Sequence, residues 1–187
     1  MPRIGKLAIG LAGGVGSGKS TVAKSLAATV AGQVVSFGDY IRHLASTLGE
    51  PTDRSNLQRI GQQRVEAGAS EFLNAFLIWA SPEPSVPLII DGVRHIAVHE
   101  ALRKWAALSD IDYTLIVLDT SAQARADRRH NGDVREIVRV DGHPVEKEAI
   151  AQLPDLADIV IDGSGSIDDV MNRIFAHAPD PLGRLLR

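Results

Sequence analysis

Residues Gly13-Gly14-Val15-Gly16-Ser17-Gly18-Lys19-Ser20 satisfy G-x-x-x-x-G-K-[ST] at every fixed position. Few segments constrain a chain as tightly. The apolar run Leu7–Ala12 precedes them and reads as a buried strand. Lys19–Thr29 follows as a helix, with Val22, Leu26 and Val30 near one face. Glycines let such a loop curl until successive N–H groups point inward, and the helix N-terminus adds partial positive charge at the same spot. The product is a cradle for phosphate oxygens. Within it Lys19 reaches the β- and γ-phosphates of a nucleoside triphosphate, and the Ser20 hydroxyl is a candidate Mg²⁺ ligand. Gly13, Gly14, Val15, Gly16, Ser17, Gly18, Lys19, Ser20 and the adjoining Thr21 are the expected ATP-binding residues.

Strand and helix patterns alternate beyond the loop, as in a parallel α/β sheet. Expected strands are Val34–Phe37, residues 88–92, Thr114–Leu118 and Asp158–Ile161. Expected helices are Asp39–Leu48, a long one from Asp53 or Ser55 towards Ala80, Ala97–Leu108, Ser121–Arg129, Val145–Leu153 and Ile167–Ala176 capped by Ser166. Gly61 and Gly68 weaken the long helix by about 1 kcal/mol each relative to Ala. Asn131–Pro144 is polar and poor in core residues, so it is expected to be a flexible loop, and the tail from Pro179 is expected to be loose.

The 187 residues suit one domain, with 44% hydrophobic and 23% charged residues. A net charge of −3 and 4% aromatic residues give no support for a nucleic-acid polymer as partner. The absence of cysteine excludes disulfides and thiolate metal sites. The N-terminal apolar run is shorter than a signal h-region, and no run approaches a membrane span. The expectation is a soluble cytoplasmic protein, monomer or dimer, with no membrane partner.

Other charged residues fall at strand ends, where ligands of parallel sheets gather. Asp39 and Arg42 share a helix face, as a capping Asp with a local ion pair or as part of an acceptor site in which Arg42 holds an anion. Asp91-Gly92-Val93-Arg94 is either a glycine turn with a capping Asp, or a place where Asp91 serves Mg²⁺ and Arg94 holds an acceptor phosphate. Arg125, Arg128 and Arg129 form a solvated basic face or a lid that stabilises the transferred phosphoryl group. Asp141, His143 and Glu146 fit no standard zinc spacing.

With these residues assembled, the chain resembles the P-loop small-molecule kinases around the nucleoside monophosphate and dephospho-coenzyme A kinases. Gly38-Asp39 with Arg42, and Asp91-Gly92-Val93-Arg94, are similar to the acceptor-phosphate elements of nucleoside monophosphate kinases. Leu57-Gln58-Arg59-Ile60-Gly61 with Arg64, and residues 141–146, look like phage-type deoxynucleoside monophosphate kinases, which would turn Arg54, Gln58 and Arg64 towards an acceptor nucleotide. Ala157–Ser164, including Gly163, resembles the last strand and loop of dephospho-coenzyme A kinases, beside the ATP base.

The resemblance implies a three-layer α/β P-loop NTPase fold. Its features are a five-stranded parallel sheet of order 2-3-1-4-5, an acceptor-binding helical insert (residues 39–80) and a lid (residues 128–146). It implies ATP and Mg²⁺, with catalytic roles for Lys19, Asp39 and Arg128 or Arg129. It places Arg125 and Gly163 with ATP, and Asp39, Arg42, Gln58, Arg64 and Arg94 with the acceptor. Ser20 and Asp91 go to the metal. The expected activity is transfer of the γ-phosphoryl group to a phosphate-bearing small molecule, a nucleoside or deoxynucleoside monophosphate. The alternatives are a hydroxyl kinase such as a dephospho-coenzyme A kinase, with Asp39 as base, and a regulatory NTPase. No N-K-x-D guanine-reading element is present.

Overall fold

The computed structural model describes residues 6–129, 132–142, 144–180 and 182–185. The chain begins with β1 (Leu7–Gly13), α1 (Lys19–Val30), β2 (Gln33–Ser36), α2 (Phe37–Thr47), α3 (Arg54–Ala67), α4 (Ala69–Ala80) and β3 (Leu88–Val93). It continues with α5 (Ile96–Leu108), β4 (Asp112–Asp119), α6 (Ala122–Asp127), α7 (Val134–Asp141), α8 (Pro144–Ala151) and α9 (Leu153–Leu156). The last elements are β5 (Ile159–Asp162), α10 (Ile167–His177) and α11 (Leu182–Leu185).

The strands form one parallel sheet in the order β2-β3-β1-β4-β5. Alternation along each strand divides the interior into two cores. Leu7, Ile9, Leu11, Ile89, Ile116 and Leu118 face α1, α10 and α11. Ala8, Ala12, Leu88, Ile90, Leu115 and Val117 face the other side, which α2 to α5 cover. Three layers result, and the C-terminal strand ends share one edge with the loop after β1.

Three expectations change. The long helix is two helices hinged at Gly68, whose backbone (φ 161°, ψ 110°) lies outside the helical range. Asn131–Pro144 is not all loop, because α7 forms within it. The Asp133 side chain accepts from the Arg135 N–H at 2.8 Å, and Ile137 is buried. One buried apolar residue in an eight-residue helix leaves too faint a period to read against polar neighbours. The tail folds back: Leu182 enters the core beside α10, and the Gly183 N–H donates to the Pro179 carbonyl at 2.8 Å. His130, Asn131 and His143 lie outside the described residues.

Smaller shifts have local causes. β2 ends at Ser36 because the Ser36 hydroxyl accepts from the Asp39 N–H at 3.2 Å and starts α2 two residues early, at Phe37. At the other end of the chain, Ser166 and Asp169 form a reciprocal capping box on α10.

Candidate active site

Gly16 (φ 81°) and Gly18 (φ 95°) take left-handed backbone angles that L side chains rarely adopt, and they carry the turn from β1 into α1. Gly18 caps α1 without any side-chain hydrogen bond, and the first turn holds no acid. The Thr21 and Val22 N–H groups close on the Gly18 carbonyl at 3.0 Å, and the helix end favours an anion. Lys19 is buried and donates to the carbonyls of Gly13 (2.7 Å) and Gly14 (2.8 Å) and to Ser17 Oγ (3.4 Å). Burial, and next the positive charge of Arg94, push its pKa down to about 7, against the opposing charges of Asp91 and Glu146.

β3 runs beside β1 and ends opposite the loop, which brings Asp91 to Ser20. The Ser20 hydroxyl donates to Asp91 Oδ2 at 2.6 Å. A hydroxyl and one carboxylate beside a phosphate cradle suit Mg²⁺, which takes hard oxygen ligands and completes its shell with water and substrate phosphates. No cluster of three or more His, Asp or Glu that could hold a metal exists among the described residues. Asp141 and Glu146 instead pair with arginines.

The three arginines after β4 are sorted by their surroundings. Arg125 lies buried against the loop, donating to the Thr120 carbonyl (2.9 Å) and gripping Asp141 through two bonds of 2.8 and 2.5 Å. A side chain at position 14 would collide with its guanidinium. Arg128 ties the loop to the segment after β5, donating to the carbonyls of Ser17 (3.0 Å), Gly163 (2.5 Å) and Gly165 (3.1 Å). Arg129 faces the ligand space, 3.6 Å from Glu136.

Two spaces meet at the sheet edge. A cleft of about 570 Å³ lies over the loop, with Lys19, Ser20, Asp91 and Arg128 in its walls. Beside it a cavity of about 450 Å³ opens between α2, α3, β3 and α8. Gly38, Arg42, Gly92, Arg94 and Arg129 line both. Arg42 pairs with Asp39 at 2.6 Å on an exposed helix face. Gln58 and Arg54 line the cavity as well, whereas Arg64 is exposed and outside its lining. A recess of about 140 Å³ beside Thr21, Arg128 and Gly163 completes the edge.

One residue of the cavity enters the sequence reading only within the 141–146 stretch, with no role of its own. Glu146 of α8 is fully buried, and its Oε1 accepts from Arg54 Nη2 (3.2 Å), Gln58 Nε2 (3.5 Å) and Arg94 Nη1. Gln62 lines the same cavity and was not singled out either.

A parallel sheet of this order, with the phosphate loop between β1 and α1, defines a P-loop nucleotide-binding protein. A family model described as an AAA domain matches residues 12–138, and the chain belongs to that family. The chain is similar to the dephospho-CoA kinase of Syntrophotalea carbinolica, with 29% identity over 195 residues, covering 91% of this chain and 90% of that one.

Solved structures share the fold. The APS kinase of Mycobacterium tuberculosis, in complex with AMPPNP and APS, superposes with a TM-score of 0.60 at 19% identity, over 94% of this chain and 98% of that one. Shikimate kinase from Aquifex aeolicus gives 0.56 at 19%, over 91% and 95%. A gluconokinase from Sinorhizobium meliloti gives 0.54 at 15%, over 98% and 95%. The chain is an enzyme, a P-loop small-molecule kinase. No helix among the described residues is long and apolar enough to cross a membrane.

Proposed function

We propose that the chain transfers the γ-phosphoryl group of ATP to a nucleoside or deoxynucleoside monophosphate seated in the cavity between α2, α3, β3 and α8. The observation that carries this reading is the shared wall. Arg42, Arg94 and Arg129 line both the loop cleft and the cavity, so anionic groups entering from either side converge on the same guanidinium groups.

Lys19 leaves the loop carbonyls and takes the β- and γ-phosphates. Ser20 and Asp91 would hold Mg²⁺, which when bound neutralises phosphate charge. Arg129, with Nη1 unpartnered among the described residues, meets the transferred group. Arg125 and Arg128 hold the loop in shape, and the recess at Gly163 takes the donor base. An acceptor phosphate oxygen bonds to the γ-phosphorus as the bond to the bridging oxygen breaks and ADP leaves. With its second pKa at about 6, the acceptor phosphate needs no general base near neutral pH.

A hydroxyl acceptor such as dephospho-coenzyme A is the second reading, favoured by the curated relative that spans 91% of the chain. The hydroxyl proton then passes to a base, and Asp39 beside Arg42 is the candidate. An ADP-release assay across ribo- and deoxynucleoside monophosphates and dephospho-coenzyme A, run with Asp39→Asn, separates the two. Loss of roughly a hundredfold or more with the substitution marks a hydroxyl acceptor. Retention of most turnover with a monophosphate supports phosphate transfer. Lack of response to every acceptor sinks both.

A further inference from the structure

Four buried side-chain polar atoms have no hydrogen-bond partner among the described residues: Gln62 Oε1, His99 Nε2, Arg129 Nη1 and Glu146 Oε2. His99 packs against Tyr113, away from the cavity lining. The other three residues all line the acceptor cavity. A buried polar atom without a partner is costly, so three in one cavity describe what the cavity is shaped to receive.

Neighbours fix the polarity of each. Gln62 Nε2 donates to Glu66 Oε1 at 2.6 Å. A carboxylate only accepts, so the Gln62 carbonyl oxygen is the atom left over. Glu146 Oε1 is taken by Arg54, Gln58 and Arg94, which leaves Oε2 as a second acceptor. Arg129 offers Nη1 as a donor beside the loop cleft. The remaining wall includes Phe37, Ile41, Leu57, Val65, Phe72 and Val98. Apolar side chains beside two unpartnered acceptors and one unpartnered cationic donor suit a heterocycle that gives two N–H groups and carries its negative charge at one end.

We propose that the cavity reads an amino-bearing nucleobase, of the adenine, cytosine or guanine kind, through Gln62 Oε1 and Glu146 Oε2, with the acceptor's phosphate turned towards Arg129. Uracil and thymine offer a single ring N–H between two carbonyls, so they leave one acceptor unpaired and set carbonyl lone pairs against the Glu146 carboxylate. The proposal deepens the nucleotide-acceptor reading above and rests on it.

The test is equilibrium binding by calorimetry, with the loop saturated by AMPPNP and Mg²⁺ so that only the cavity is free. The probes are AMP, CMP, GMP, UMP and dTMP. At least one amino-bearing probe is expected to bind roughly tenfold or more tightly than UMP and dTMP. Glu146→Gln gives the sharper outcome. Arg54 and Arg94 only donate, so they hold the new amide oxygen and turn its NH₂ into the cavity. The favoured amino-bearing probe is then expected to weaken by roughly tenfold or more, while UMP and dTMP hold or gain.

Gln62→Leu is expected to weaken the amino-bearing probe alone, and it decides the matter if Glu146→Gln does not fold. Equal binding of both ring types, parallel losses in both variants, or no binding of any probe overturns the proposal. Transfer to a monophosphate without ring preference removes this inference and leaves the transfer reading standing. Ring preference without transfer removes the transfer reading, and with it the acceptor role of the bound nucleotide.

Discussion

Lys19 in the free chain is wrapped by the carbonyls of its own loop, and burial with Arg94 lowers its pKa to about 7 from 10.5. Phosphates at the loop reverse that balance, because anionic oxygens at contact favour the ammonium. ATP binding at pH 8 is therefore expected to take up close to one proton. Calorimetry in buffers of different ionisation heat measures this, and Lys19→Met should abolish it. The sign for stability follows. Between pH 7 and 10.5 the unfolded chain binds more protons at this residue than the folded one, so the free chain gains stability as pH rises through that window. Asp141→Asn removes the partner of a buried Arg125 and should cost about 3–5 kcal/mol in urea unfolding. Lys19 and Ser20 were legible from spacing, since glycine geometry and phosphate chemistry permit few alternatives. Glu146 and Gln62 were not, because their roles arise only when α3 and α8 meet across the cavity.

Among the elements, α2 and α4 build the acceptor wall around stacked rings. Phe37 and Phe76 lie 4.1 Å apart between centroids, with Tyr40 and Phe72 packed against them. Phe76 is fully buried, so Phe76→Ala should cost about 3–5 kcal/mol by chemical denaturation. A loosened wall should also raise the acceptor KM more than the ATP KM. The strands were readable as short apolar runs, and β1, β4 and β5 close on a glycine or an acid. The 54–80 segment read as one helix because its apolar period continues across Gly68, and the break there is a backbone property that composition only hints at. The pattern was weakest in α7, whose fold depends on Asp133 capping and on Ile137 finding the core.

At the scale of the molecule, two cores hold a rigid sheet whose C-terminal edge carries both binding spaces. Asp141 and Glu146 brace this edge from two sides, Asp141 by holding Arg125 against the phosphate loop and Glu146 by pairing with Arg54 and Arg94 in the cavity. Strand order was within reach of sequence because the loop and its flanking elements resemble known kinases, whereas the joining of the two spaces is a tertiary fact. The most direct measurement follows the γ-phosphoryl group itself. The protein is incubated with γ-labelled ATP, Mg²⁺ and each nucleoside monophosphate or dephospho-coenzyme A, and the labelled products are separated. Label is expected on one nucleotide acceptor, formed far faster than inorganic phosphate and lost in Lys19→Met. Label found only in inorganic phosphate, at a rate no acceptor changes, would contradict a nucleotide kinase.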